Sequence, residues 1–326
     1  MKNVLFATTA LVAFGGAAIA QELPEGLSVS GDAELGITYV DIDGADLAND
    51  GFDLVGDYTA EFTFNAISNS GISFGANGEI ELPSNDIDDF NAFVSGNFGT
   101  LTLGDIDSAF DASTVGIETG GLADEADFYF SDSGIDGLVD PQFILRYDYT
   151  ISGVTISASI EQGNDATIDN ILAAGLDYSG SVGGLDVSAG VGVQATETEA
   201  ASGFGDGDHT LIHVSGRVGF GSFGVNAFFE SWDGPSDVEL DHETIAGSVD
   251  FTSGPITVGA NVVIRTSDIE NESFGAFASY DLGGGLALVG AVGFSNTGDA
   301  ATATQSNFIS DGDDIVTAGI GFDMSF

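Results

Sequence analysis

The chain has 326 residues, of which 52 are Asp or Glu and 4 are Lys or Arg, a formal charge of −48 at pH 7. So negative a molecule offers nothing to a nucleic-acid partner, and with no Cys it has neither a disulfide framework nor thiol chemistry. Nor is it an acidic disordered chain: 43% of its residues are hydrophobic and 10% aromatic, so it has much to bury.

The N-terminus carries Lys2, then an apolar stretch from Val4 to Ile19 broken only by Thr8, Thr9, Gly15 and Gly16, and closes on Ala18-Ile19-Ala20. This pattern predicts a secretory signal peptide over 1–20, cleaved after Ala20, with one mature domain over 21–326. A membrane-spanning helix would need about 20 apolar residues and a charged stop, whereas Gln21-Glu22-Leu23-Pro24 follows at once. Cleavage removes one Lys and no acid, taking the formal charge from −48 to −49. No later apolar run approaches the about 18 residues of a helical span, so the apolar content is distributed in short pieces.

From Leu27 the sequence alternates strictly. Leu27, Val29, Gly31, Ala33, Leu35, Ile37 and Tyr39 are apolar or Gly, while Ser28, Ser30, Asp32, Glu34 and Thr38 are polar. A period of two is a strand with one wet and one apolar face. The pattern recurs at Tyr58 to Ala66 and at Ile72 to Leu82, joined by the tight turn Ser68-Asn69-Ser70-Gly71. Further strands are predicted near 90–98, 101–105, 142–151, 154–161, 171–178, 185–194, 209–219, 222–230, 242–251, 256–265, 272–281, 285–294 and 314–326. That makes about 16 strands, near the length that a tilted span of a bilayer needs. Short connections such as Phe98-Gly99-Thr100 and Ser152-Gly153 alternate with long acidic ones such as 41–52, 195–208, 231–241 and 296–313. This predicts an all-β, 16-stranded antiparallel up-and-down transmembrane barrel, with turns on the periplasmic side and loops outside. A soluble sandwich would not alternate its loops so regularly, and no fixed-period repeat supports a β-helix.

Three stretches resemble a known family. Ser95 to Asp105, reading SGNFGTLTLGD, is similar to the hairpin before the third loop of general bacterial porins. Asp140-Pro141 leading into Phe143-Ile144-Leu145-Arg146-Tyr147 resembles the strand after that loop, and Ser279 to Gly285 resembles a late turn of the alphaproteobacterial branch. The terminal Phe326, after Phe322 and Met324 on one face, resembles the assembly signal of outer-membrane proteins. The resemblance implies an outer-membrane homotrimer in which a long third loop, about 105–141 here, folds inward to make the constriction. Partners would be outer-membrane lipid, a second copy of the chain, small hydrophilic solutes and cations.

That long connection carries Asp105, Asp107, Asp111, Glu118, Asp124, Glu125 and Asp127, followed by Asp132, Asp136 and Asp140, without a basic residue. The resemblance places some of these acids at the constriction. Parity puts Arg146, Arg217 and Arg265 on the polar face, since an Arg facing lipid at mid-depth costs about 2 to 4 kcal/mol. Their heights differ, which leaves Arg146 to oppose the loop and puts Arg217 near a periplasmic turn. General porins commonly set an arginine cluster on the early strands, whereas the inward positions here carry Glu34, Glu61, Glu79 and Glu81. A cation-selective pore for passive diffusion of small polar solutes is the expectation. A substrate-specific channel and a calcium-dependent surface protein are the alternatives, and the inward Phe93, Phe228 and Phe277 are exceptions to a wall otherwise rich in Ser, Thr, Gly and acids.

His209 and His213 lie four apart, about 13 Å along a strand, too far to share one ion. Asp41 to Asp46 departs from an EF-hand, with Ala at its fifth position. No resident cofactor is expected, although dense carboxylates such as Ser310-Asp311-Gly312-Asp313-Asp314 could share loop-bound Ca2+. No nucleophile, base and acid stand at a telling spacing, so an enzyme is not expected.

Overall fold

A computed structural model describes residues 26–42, 51–82, 87–120, 143–163, 167–199, 202, 205–235, 241–266, 271–297 and 314–326. The predicted signal peptide and cleavage site, the loop acids Asp124, Glu125 and Asp127, and most of the Ca2+ candidate at 310–314 lie outside these residues. Sixteen strands are described: β1 (Gly26–Ile42), β2 (Gly51–Ile67), β3 (Ser73–Leu82), β4 (Ile87–Gly96), β5 (Gly99–Gly104), β6 (Ile144–Ile151), β7 (Val154–Glu161), β8 (Ile171–Val182), β9 (Leu185–Thr198), β10 (Gly207–Phe220), β11 (Phe223–Asp233), β12 (His242–Ser253), β13 (Ile256–Thr266), β14 (Asn271–Asp281), β15 (Leu286–Thr297) and β16 (Asp314–Ser325). Each pairs antiparallel with its sequence neighbours, and β1 pairs with β16 from Asp32↔Ser325 to Ile42↔Ile315, so the sheet is closed. Closure leaves no row of unpaired backbone groups in lipid, where each would cost several kcal/mol.

The alternation read from sequence becomes two faces. On β8, Leu172, Ala174 and Leu176 point outward and are exposed, while Ile171, Ala173 and Gly175 point inward and are buried. The outward surface carries Leu27, Phe64, Phe74, Val214, Ile245 and Ile320, all exposed on the isolated chain and all suited to lipid tails. β1 and β2 run longer than the clean alternation suggested, because Gly51 to Asp57, where Val55 and Gly56 blur the period, still pairs with Gly36 to Val40 and Glu34 to Leu35. On β4 the register shifts between Asn77 and Glu79 of its partner, and Asp89 takes a left-handed φ of 52°. This β-bulge explains why the strand begins earlier than the strict period suggests.

The faces give a direct test. Cysteines at Glu34 and Thr63 are expected to react with small water-soluble thiol reagents through the pore. Those at Leu35 and Phe64, shielded by lipid, should react far more slowly. Equal labelling of both pairs in intact membranes would refute this register.

The inward face breaks one expectation. Side chains lining a water-filled barrel should be wet, yet Gln194, His209 and His213 are 0% exposed, Leu211 is 1% and Phe228 is 3%. Leu211, His213 and Phe228 are covered by the chain segment that follows β5, while His209 packs against Thr198 and Trp232 of the wall itself.

Candidate functional site

The covering segment begins where Gly104, at φ 148°, brings the chain against the backbone of Phe90 and Asn91 and Asp105 N–H donates to Phe90 O at 3.1 Å. A Cβ at residue 104 would overlap that backbone, so Gly lets the chain leave the wall. Ser108 then starts a turn: its Oγ accepts from Phe110 N–H at 3.1 Å and donates to the Asp111 carboxylate at 2.9 Å. One 3-10 turn follows over Asp111–Ser113, closed by Thr114 N–H donating to Asp111 O at 2.8 Å.

From there the segment runs across the inner wall, and successive strands satisfy its backbone. Ala109 N–H donates to Ser159 Oγ of β7 at 2.8 Å, and Val115 N–H to Ser215 Oγ of β10 at 2.8 Å. Glu118 N–H donates to Ser248 Oγ of β12 at 2.9 Å, and Asn261 Nδ2 of β13 donates to Glu118 O at 3.2 Å. Gly120 ends the described part, against the ring of Phe277 on β14. Polar wall residues thus replace the water that the loop backbone would otherwise need.

Apolar contacts supply the attraction. Ala109 and Phe110 pack with Ile168, Ile171, Ala173 and Leu211, and Ile117 packs with Phe228, Ala246 and Val263. Burying Phe110 and Ile117 contributes about 1.5–3 kcal/mol each. Glycines open the space. On β8 and β9, a Cβ at Gly175 would overlap Ala109 O and one at Gly190 would overlap Ser113 O.

Charge is distributed unevenly around this loop. Arg146 Nε meets Asp148 Oδ2 at 3.0 Å, and its Nη1 donates to the backbone carbonyl of Asp107 at 2.7 Å. Arg146 thus reaches the base of the loop through a backbone carbonyl, while the acid it holds, Asp148, stands on its own strand β6. Arg217 does more than its position near a turn suggested. Its Nη1 lies 3.0 Å from Glu118 Oε1 and 3.2 Å from Asn226 Oδ1, and its Nη2 lies 2.8 Å from Asp250 Oδ1. The loop descends along the wall to reach it, so Arg217 shares the part of counter-charge that sequence had left to Arg146. Gly224 makes this possible, since a Cβ there would meet both the guanidinium and Asp250. Arg265 Nε donates to Thr244 Oγ1 at 3.3 Å, away from both other arginines.

Burial holds the Glu118 carboxyl above the ordinary glutamate range; Arg217 opposes that rise and Asp250 adds to it. As pH falls, Glu118 therefore becomes neutral sooner than a free glutamate would.

Across the lumen the wall is acidic. Glu34 stands between Asp323 on β16 and Asp57 on β2, Glu61 stands opposite Glu79, and Glu81 opposite Thr59. The strands β14–β16 and β1–β4 contain no Lys or Arg. Of the loop acids read from sequence, Asp105, Asp107, Asp111 and Glu118 lie on the described segment. The landing track for the loop was missed, although inward Ile171, Leu211 and Phe228 broke the polar parity and could have marked it.

A closed barrel with an apolar outer belt and a polar lumen crossed by an inner segment is a transmembrane β-barrel channel. The chain belongs to the Gram-negative porin family, whose model matches residues 7–300. It is therefore a protein of the bacterial outer membrane. A porin of Rhodobacter capsulatus is 24% identical over 294 residues, covering 82% of this chain and 93% of that protein. Among solved structures, a porin refined at 1.8 Å superposes with TM-score 0.68 at 22% identity, covering 92% of this chain and 100% of its own. An anion-selective porin from Comamonas acidovorans gives TM-score 0.68 at 16% identity, covering 92% and 99%. A mutant of Rh. blastica porin gives 0.61 at 18%, covering 92% and 100%.

Proposed function

We propose that this porin is a homotrimer whose pores pass small hydrophilic solutes passively and prefer cations. The observation that carries the preference is the pairing of charges: two of the three mature-chain arginines, Arg146 and Arg217, are in contact with carboxylates, while the facing wall bears Glu34, Glu61, Glu79, Glu81 and Asp323 without a base. Fixed negative charge concentrates cations and excludes anions in a narrow aqueous path. A similar fold serves an anion-selective porin of Comamonas acidovorans, so wall charge and not fold sets the sign.

The test is the reversal potential of single channels across a potassium chloride gradient. A sign favouring K+ is expected, strong near 0.1 M, where the screening length is about 10 Å, and weaker toward 1 M, where it is about 3 Å. Arg146→Ser should raise the preference, and neutralising Asp124, Glu125 and Asp127 together should lower it. Acidification should lower it too, with the contribution of Glu118 lost above the ordinary glutamate range, in keeping with its raised pKa. A potential of the opposite sign would overturn the proposal.

A further inference from the structure

One buried titratable group has no part in charge selection. His213 projects inward from β10, is fully buried, and is held edge-on by Phe110 at a centroid distance of 4.6 Å and face-on by Phe228 at 6.1 Å. Its Nε2 lies 3.0 Å from Phe110 O, 3.0 Å from Ser113 Oγ and 3.2 Å from Thr114 Oγ1, so it touches the 3-10 turn at three polar atoms. Phe110 O can only accept, and the Ser113 hydroxyl already donates to it at 2.8 Å. The proton of the ring therefore sits on Nε2 and points at the loop. Nδ1, on the other side of the ring, is buried and has no hydrogen-bond partner among the described residues.

We infer that neutral His213 is the residue that positions the constriction loop on the wall, and that protonating it releases the turn. The second proton would go to Nδ1, creating a charge in a closed site without an acceptor for its new N–H. The charged and titratable groups around it make no hydrogen bond to Nδ1. Glu230, directly opposite on β11, lies 3.5 Å from His242 through Oε1, and its buried Oε2 bonds to nothing among the described residues, His213 included; Asp111 of the loop holds Ser108; Glu118 holds Arg217, which with His209 shares the strand of His213. β9 faces the ring with Gly190, Gly192 and Gln194, none of which is charged. Gly192 is also what lets the ring lie flat, since a Cβ there would overlap Nε2. The inference requires only that the chain be a channel, not that its pore prefer cations.

Single channels of the mature protein in planar bilayers test it by unit conductance and open-channel noise, not by the sign of selectivity. Wild type is expected to show one steady level near pH 7.5 and, near pH 3.5, sublevels with unit conductance altered by at least about 1.5-fold. His213→Gln, whose amide donor takes the place of Nε2–H but does not titrate there, should keep the steady level at both pH values. Glu118 is intact in that variant, so its titration cannot account for the difference. His213→Phe, which keeps the ring packing without the donor, should show sublevels already at neutral pH. A wild-type level that ignores pH, a Gln variant that follows the wild-type profile, or a Phe variant like wild type at neutral pH would each overturn the inference. Should the Phe variant not assemble, wild type and the Gln variant still decide.

Discussion

Gly190→Val is expected to cut unit conductance to about half or less while leaving the folded barrel intact. Gly190 faces inward from the middle of β9, paired with Asp177 on β8 and Ser215 on β10. A Cβ there overlaps the carbonyl oxygen of Ser113 and comes within 3.1 Å of Ser215 Oγ. Backbone cannot rotate out of the way as a flexible side chain can, so either the wall or the 3-10 turn must move. The wall is locked by ladders on both sides; the turn is held by a handful of polar contacts and two small apolar clusters, so the turn yields. The wall lies behind it, so it moves toward the pore axis. Gly219→Ala is the matched control, because its Cβ meets only Asp186 and nothing nearer than 3.5 Å, an ordinary contact, and conductance should not change. Wild-type conductance in the Val variant would mean that the turn does not rest on β9.

What made the barrel legible was the physics of its solvent. Lipid on one side and water on the other impose a period of two on every strand, and Leu27 to Tyr39 shows that period with only Gly36 off the polar count. Ends were blurred where a bulge at Asp89 or a residue such as Val55 interrupted the count. The site was legible only in outline. The resemblance to porins marked the long acidic connection 105–141 as the inner loop, but which wall residues its described part touches depends on how far it descends. Arg217 and Glu118 are 99 residues apart and meet only because Gly224 leaves room for the guanidinium. Parity assigns a face and not a partner. It therefore gave no sign that Arg217 clasps Glu118 or that His213 touches the turn at Asp111–Ser113. Inward apolar residues were the available signal. Leu211 and Phe228 look like errors in a wet wall until a loop is laid over them.

Deleting Phe326 is expected to reduce the folded protein in the outer membrane to about a tenth or less, with export unaffected because the predicted signal peptide over 1–20 is untouched. The structural reason lies at the seam. Phe326 N–H donates to Gly31 O and Gly31 N–H to Phe326 O, both at 2.9 Å, and this reciprocal pair extends the β1–β16 ladder beyond Asp32↔Ser325. The ring lies over Gly31, where a Cβ would stand 3.0 Å from its Cε2, and is otherwise 79% exposed on the outer surface. Two hydrogen bonds are worth only about 0.5–1.5 kcal/mol each in net stability, too little to unfold a barrel of sixteen strands. The large loss is therefore expected in assembly, where β16 must find β1 before the sheet has any other way to close. Phe326→Ala separates the two contributions, since it keeps both backbone bonds and removes the ring. An intermediate yield is expected for Ala, because the seam can still form while the exposed ring is gone. The readout is the amount of heat-modifiable, protease-resistant protein in outer-membrane fractions, set against the total exported chain. Normal amounts from the deletion would remove Phe326 from closure altogether; equal losses in Ala and deletion would assign the whole effect to the ring.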